Sequence, residues 1–391
     1  MTSEQAAAAL GVRLPTLYAY VSRGVIDREV AADPNGLRVS RFRREDVLKL
    51  ARARSRPRAG TWSPLIESDV TRLDASGRLA FRGADVTTCA EWGYERTARH
   101  VLGDESSESS EPSEPDMPGE PSAPDKPNAP DRLWLTAPEQ PRDPAPGRAT
   151  DVIRGTVLRL AAEDEQRERT DAAHCRRVAE TAITVATAAL TGLRQGTVAE
   201  RLARHWAPET RAGGGALIAA VDTALSVLVD HELTASTLAA RAAAGVRADP
   251  WMVLLTGLAA MSGPSQAGAS AHALAALRAW GRSGTVPEEP VAGFGHKVYT
   301  GPDPRAVLLL DRVAAVRPAT ADAIDELAVA MARKHSLHPN IDIALAGLIV
   351  AADLPDDAGD VVFTLARIPG LMAHALEEYP HGLRLRPRAL S

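Results

Sequence analysis

Aromatic side chains are scarce in this sequence: they make up 4% of 391 residues, while hydrophobic residues of all kinds make up 45%. A core so short of rings and so rich in Ala and Leu favours close-packed helices. Those residues are strong helix formers, whereas strands enrich β-branched and aromatic ones. Cysteine occurs twice, as Cys89 and Cys175. Two cysteines exclude a disulfide framework and a cysteine-based metal cluster, and they fit a reducing cytoplasm. There is no stretch of about 18 apolar residues and no signal-type apolar run at the start, so neither a membrane span nor secretion is expected. The formal net charge of −5 is small, but it is unevenly spread.

Residues 1–58 carry 12 Arg or Lys against 6 Asp or Glu, a local excess of +6. The pattern predicts a helix through Gln5–Leu10 capped by Ser3, a turn at Gly11 to Leu14, and a second helix over Pro15–Arg23 with its proline in the first turn. Two short helices joined by a Gly-containing turn read as helix-turn-helix. A wing through Pro34-Asn35-Gly36 follows, then Arg38, Arg41, Arg43 and Arg44, then a helix from about Glu45 to Ala53. This segment resembles the winged helix-turn-helix of MerR and excisionase-type DNA-binding domains. The resemblance implies DNA contacts from Thr16, Tyr18, Tyr20, Arg23, Arg41 and Arg43. A small helical interaction module without DNA contact is the other reading.

Residues 59–103 hold a turn from Asp74 to Arg78, the string Leu79-Ala-Phe-Arg-Gly-Ala-Asp85, and an expected helix from about Val86 to Leu102. Residues 104–146 read as an acidic, proline-rich, disordered insertion. Prolines fall at every third position from 112 to 130, and residues 104–131 hold nine acids against one lysine. Period-three proline suits an extended polyproline segment, and like charge opposes collapse. From about 147 onward apolar residues recur at three-and-four spacing. They predict helices over 151–163, 171–193, 197–206, 213–229, 305–316 and 320–335, then to Ala352, and over 358–378.

Polar groups interrupt these helices at a few points. Asp230-His231-Glu232 follows a buried helix, where such groups must find partners, so His231 is either structural or part of a site. Gly263-Pro264 breaks a helix and places residue 266 near the start of the next, where partial positive charge favours anions. Asp342 precedes an apolar helix and is either an N-cap or a functional carboxylate. The densest stretch is residues 293–306, Gly-Phe-Gly-His-Lys-Val-Tyr-Thr-Gly-Pro-Asp-Pro-Arg-Ala. Its glycines let backbone approach a ligand. His296 can donate a proton near neutral pH, and Arg305 can clamp a carboxylate with two parallel hydrogen bonds.

Taken in order, Asp-His-Glu, Gly-Pro-x-x-x-Gly-Ala, Gly-Phe-Gly-His…Asp-Pro-Arg, Pro-Asn-Ile-Asp and the terminal Arg-Pro-Arg resemble the citrate synthase family across residues 60–391, apart from the insertion. The resemblance implies an all-α fold and a homodimer. It places a large domain over 59–103, 147–266 and 356–391 and a small domain over 267–355, with the site in the cleft between them. It assigns a dicarboxylate such as oxaloacetate to His231, His296, Arg305 and Arg367, with Arg386 reaching the neighbouring subunit's site. It makes Asp342 the base that deprotonates acetyl-CoA or another acyl-CoA, and His296 the acid at the ketone. Gly293, Phe294, Gly295 and the 297–303 loop, with Lys297 and Lys334, would hold the coenzyme A moiety. The acyl-CoA is a co-substrate in the citrate-forming step of the tricarboxylic acid cycle; no further cofactor and no metal is implied.

The chain departs from the family pattern at two positions. Gln266 stands where the family has its enolising histidine, and Thr234 replaces an asparagine. A glutamine amide can donate a hydrogen bond to a thioester oxygen but cannot transfer a proton. Three functions follow: an acyltransferase slowed by Gln266, a ligand-sensing DNA-binding regulator, and an inactive partner of an active relative.

Overall fold

The structure is a computed structural model, and it describes residues 1–10, 17, 21, 26, 28–32, 38–44, 46–47, 66–74, 77–104, 148–208, 214–263, 268–299 and 301–382. The chain divides into two compact units, residues 1–67 and 68–391. The expected insertion, the helix-turn-helix residues Thr16, Tyr18, Tyr20 and Arg23, and both Gln266 and Arg386 lie outside the described residues.

In the first unit, helix α1 (Ser3–Leu10) is capped one residue earlier than expected. The Thr2 hydroxyl accepts from the Gln5 amide N–H at 3.2 Å, and the Gln5 side chain accepts from the Thr2 N–H at 3.0 Å. This reciprocal pair needs its Gln three residues past the cap, which fits Thr2 and not Ser3. Strands β1 (Glu29–Ala32) and β2 (Arg38–Arg41) pair antiparallel, with Glu29 opposite Arg41. Ala6, Ala7, Leu17, Ile26, Phe42 and Val47 form a core belonging to this unit. Arg41, Arg43 and Arg44 are exposed.

The second unit is mostly helical but not purely so. It opens with a three-stranded antiparallel piece, β3 (Thr71–Leu73), β4 (Leu79–Phe81) and β5 (Ala84–Asp85), in that order. The single helix expected over Val86–Leu102 is two: α2 (Val86–Trp92) and α3 (Tyr94–Val101). Gly93 breaks it at φ 80°, where a Cβ would sit 2.9 Å from the Asp222 carboxylate. That carboxylate accepts from the Tyr94 N–H at 3.0 Å and so anchors the new helix start.

Then come α4 (Ala149–Glu163), α5 (Ala172–Thr191), α6 (Val198–Trp206), α7 (Gly214–Val227), α8 (Ala235–Gly245), α9 (Pro250–Ala260), α10 (Ala269–Ser283), α11 (Pro304–Val316), α12 (Pro318–His335), α13 (Ile341–Ala352) and α14 (Ala358–Glu378). None of the described helices is long and apolar enough to cross a membrane. The three-and-four spacing gives no bounds for α8 or α9, because α8 is mostly Ala and α9 mostly apolar, although the break at Gly263-Pro264 implies the helix that is α9.

Helix α14 packs against α5, α7, α8 and α9, and nearly every residue from Val361 to Ala375 is buried. Pro369 lies within it and removes the N–H that would bond the Leu365 carbonyl. The buried Tyr94 hydroxyl donates to that carbonyl instead, at 2.8 Å. One residue on, a Cβ at Gly370 would meet the Val229 carbonyl at 2.3 Å, so only glycine lets α14 come this close to the chain after α7. That approach carries Arg367 to the side of Asp230 and His231.

Candidate active site

Two connections build the site. The segment from Gly284 to Asp303, between α10 and α11, is stitched to the segment just before α13. Gly295 N–H donates to the His338 carbonyl at 2.7 Å, and Asn340 N–H donates to the Gly293 carbonyl at 2.9 Å. The Asn340 side-chain amide donates to the Gly295 carbonyl at 2.8 Å. Gly293 and Gly295 both have positive φ, 94° and 80°. A Cβ on Gly293 would meet the Cβ of Ile343 at 2.8 Å. The glycines therefore serve close backbone packing against α13.

At the end of this segment Asp303 caps α11. Its carboxylate accepts from the Arg305 backbone at 3.0 Å, from Arg305 Nε at 3.0 Å and Nη2 at 2.8 Å, and from the Ile341 N–H at 3.2 Å. One buried carboxylate thus ties α11 to the start of α13. It also takes the fork edge of Arg305 that the sequence reading had given to a ligand, leaving Nη1 outside the pair. Burial opposes the charge on Asp303, but Arg305 outweighs it and holds the carboxyl below its ordinary value.

Above Arg305 lie three rings. The His231 and His296 centroids are 5.2 Å apart, and Tyr299 is 4.6 Å from His296. The Arg305 guanidinium lies 5.8 Å from the Tyr299 ring centre. His231 Nε2 and the Tyr299 hydroxyl are 2.9 Å apart. His296 Nδ1 accepts the backbone N–H of Val298 at 3.1 Å and of Tyr299 at 3.4 Å. An N–H can only donate, so Nδ1 is bare and the neutral ring carries its proton on Nε2. Burial, followed by Arg305, lowers the pKa of both histidines; for His231 Arg367 adds to this. Both rings are therefore neutral at pH 7.

Arg367 is fully buried and lies 4.9 Å over the Phe363 ring. Its Nε and Nη1 meet no hydrogen-bond partner among the described residues. Burial pulls its pKa down to about 10, with Asp230 opposing that shift and Arg305 adding to it. Asp342 is not the N-cap of α13: Asn340 is, accepting from the Asp342 N–H at 2.9 Å. The Asp342 carboxyl thereby stays out of the cap. Burial pushes its pKa up to about 6; Arg305 pulls against this, while Asp303 and Asp360 add to it.

The structure thus brings His231, His296, Arg305, Arg367 and Asp342 into one electrostatic neighbourhood. Lys297 is exposed, and Lys334, on α12, pairs with Glu288 at 3.0 Å. Thr234 precedes α8, and its hydroxyl lies 2.9 Å from that of Ser236 and 3.1 Å from that of Thr237. Behind the site runs a buried network that no single sequence motif marks. Arg241 Nη1 donates to His374 Nδ1 at 2.7 Å, and His374 Nε2 faces Asp230 Oδ2 at 3.1 Å. Arg241 Nε also bonds Glu378 at 3.0 Å, and Nη1 bonds Glu377 at 2.8 Å. The signal was present as Asp230 ahead of His231 and as a histidine seven residues after Arg367 on the same helix.

The arrangement offers a carboxyl whose pKa lies near 6, a neutral imidazole with an outward Nε2–H, and buried cationic charge. A family model described as "Citrate synthase, C-terminal domain" matches residues 62–388. The chain is 31% identical over 186 residues to a citrate synthase of Haloferax volcanii, covering 43% of this chain and 48% of that protein. It is 33% identical over 194 residues to a citrate synthase of Saccharolobus solfataricus, covering 44% and 51%. The chain spans about half the length of these relatives. Among solved structures it resembles citrate synthase from Thermotoga maritima, with TM-score 0.59 and 21% identity, covering 84% of this chain and 93% of that one. It also resembles the Thermoplasma acidophilum enzyme in ternary complex with carboxymethyl coenzyme A and oxaloacetate, with TM-score 0.62 and 20% identity, covering 83% and 93%.

Proposed function

This chain belongs to the citrate synthase family, and we propose that it condenses a short acyl-CoA with oxaloacetate or a similar 2-oxo dicarboxylate and then hydrolyses the thioester. The observation that carries this reading is Arg367. Its Nε and Nη1 have no hydrogen-bond partner among the described residues, in a fully buried guanidinium whose charge acts on the neutral His231. A buried cation with unmatched donors suits a ligand carboxylate, which accepts the fork bidentately.

In this reading Asp342 removes the proton from the acyl carbon. A pKa near 6 leaves it mostly ionised at pH 7, yet more basic than an ordinary aspartate. His296 supplies its Nε2 proton to the ketone oxygen as the new carbon–carbon bond forms. His231, Arg367 and the remaining Arg305 nitrogen orient the dicarboxylate. Gln266 offers the thioester oxygen an amide donor in place of an acid. Losing one such stabilising group typically lowers kcat by about 10²–10³. Closure of residues 267–355 on the rest would exclude water, and a homodimer would bring Arg386 to the neighbouring site. Gly293, Phe294, Gly295, Lys297 and Lys334 would hold the coenzyme A.

The test is release of free thiol from acetyl-CoA and propionyl-CoA in the presence of oxaloacetate. Turnover in the parent that Asp342→Ala removes and Gln266→His raises supports the reading. A protein that binds neither substrate overturns it.

A second reading concerns the first unit. Its separate core, the paired strands β1 and β2, and the exposed Arg41, Arg43 and Arg44 support a DNA-binding module whose affinity depends on the ligand state of the second unit. Thr16, Tyr18, Tyr20 and Arg23 would contact the DNA there. Fluorescence anisotropy with random-sequence duplex at two salt concentrations, with and without oxaloacetate, tests it. Binding that Arg41→Ala and Arg43→Ala leave unchanged rules it out.

A further inference from the structure

Tyr299 meets His231, His296 and Arg305, three of the groups that the proposed reaction places around the dicarboxylate, whereas the family resemblance implies for it only a place in the 297–303 loop that would hold coenzyme A. It is 5% exposed. Its hydroxyl lies 2.9 Å from His231 Nε2, and its backbone N–H points at His296 Nδ1 from 3.4 Å. Its ring is tilted 37° to that of His296 at 4.6 Å, and Arg305 lies against it. Gly77 also lies beside the ring: a Cβ there would be 3.5 Å from Tyr299 Cδ1.

We propose that Tyr299 is a positioning residue that orients both histidines at once, one through its hydroxyl and the other through its backbone and ring, and so sets the affinity for the 2-oxo dicarboxylate. The inference rests on the reading of this site given above. The physical argument is about partner type. A carboxylate on an imidazole nitrogen favours the cation. A phenol and a backbone amide are neutral partners, so they fix ring orientation without drawing a second proton onto the ring. Two neutral histidines can then donate to a ketone while the arginines carry the positive charge. Tyr299 meets His231 through its hydroxyl and, edge-on with centroids 5.7 Å apart, through its ring, so phenylalanine removes the hydroxyl while keeping the ring contacts to both histidines.

Tyr299→Phe is the discriminating variant, with Tyr299→Leu as the harsher one. Oxaloacetate is titrated calorimetrically into the full-length protein, acyl-CoA KM is measured where turnover is present, and melting temperature is recorded. In Tyr299→Phe the oxaloacetate affinity falls roughly tenfold, as expected for one lost buried hydrogen bond. The acyl-CoA KM and the melting temperature stay near the parent's. In Tyr299→Leu, which also loses the ring contact to His296, kcat falls as well. Unchanged oxaloacetate affinity in Tyr299→Phe overturns the inference. So does a fall in affinity matched by a fall in melting temperature, because that is a packing effect. Arg367→Met separates the two levels. If it abolishes oxaloacetate binding while Tyr299→Phe binds like the parent, the site reading stands and the role of Tyr299 falls. If the folded parent does not bind oxaloacetate, both fall together.

Discussion

Asp303 and Arg305, two residues apart, form a buried ion pair at the start of α11, with Nε and Nη2 of the arginine 3.0 and 2.8 Å from the two carboxylate oxygens. Neither side chain is more than 3% exposed. Breaking such a pair by removing one partner leaves an uncompensated charge in the interior. Asp303→Ala also removes the acceptor for the Ile341 N–H, and with it the tie between α11 and α13. We expect a stability loss of about 3–5 kcal/mol in urea unfolding, together with loss of oxaloacetate binding. A loss below about 1 kcal/mol would mean that the pair is not structural.

Asp342 should trade stability for function. Its pKa in the folded chain is about 6, above the ordinary 3.8, so folding favours the protonated form. Above pH 6 the ionised carboxyl weighs against the fold. As pH falls from 6 toward 3.8, proton uptake by the folded state relieves that cost. Asp342→Asn should therefore be more stable than the parent at pH 7, on the order of 1–2 kcal/mol after allowing for partial exposure. The gain should shrink below pH 6, and turnover should be lost at every pH. For the parent, kcat should decline as pH drops through about 6. An Asn variant less stable at pH 7 would contradict the burial argument.

The site's elements were legible because their residues sit together in sequence. Gly293 to Arg305 is one string, and the breaks at Gly263, Asp303 and Asn340 carry proline, capping or glycine signals. What was not legible depends largely on contacts between distant segments: nothing local says that Tyr94 replaces the N–H missing at Pro369. Asp303 and Arg305 are near neighbours, but only their shared burial, with the Ile341 N–H on the same carboxylate, turns the arginine fork inward rather than to a ligand. Thr2 displaced Ser3 as a cap because Gln5 could answer only Thr2. The break at Gly93 was hidden because helical spacing continues across it, and only Asp222, far along the chain, makes the break favourable.

Arg241, His374 and Asp230 should act as one unit. Arg241 donates to His374 Nδ1, which leaves the proton on Nε2 facing Asp230. Asp230 Oδ2 also accepts from the Thr71 hydroxyl. Burial opposes its ionisation, but His374, then Arg367 and Thr71, keep its pKa below the ordinary value. His374→Leu removes the histidine's hydrogen bonds to Arg241, Asp230 and Ser68 and leaves Asp230 and Arg241 short of partners. The expected loss is about 2–4 kcal/mol. In a double-mutant cycle with Arg241→Met the losses should fall well short of additive, because each change breaks the same chain of bonds. Additive losses would show that the residues stabilise the fold independently.

Gly293→Ala tests whether the glycine ladder or the side chains place His296. Alanine at φ 94° is strained in itself. Its Cβ would also meet Ile343 Cβ at 2.8 Å and the Ile343 backbone at 3.2 Å, on the first turn of α13. Neither neighbour is the far end of a flexible side chain, so the 293–295 segment must lift off α13. The lift would stretch the bonds from Asn340 to Gly293 and Gly295, which fix His296 relative to Asp342. We expect about 2–4 kcal/mol of destabilisation. We also expect a fall in kcat, since the base and the acid move apart, and a rise in the acyl-CoA KM, since the lifted 293–295 backbone belongs to the proposed coenzyme A site. Gly301, where a Cβ would meet nothing within 4 Å, is the matched control in the same connection. Gly301→Ala should leave both stability and kcat close to the parent's. If the two alanine variants behave alike, the packing of Gly293 against α13 does not position the site.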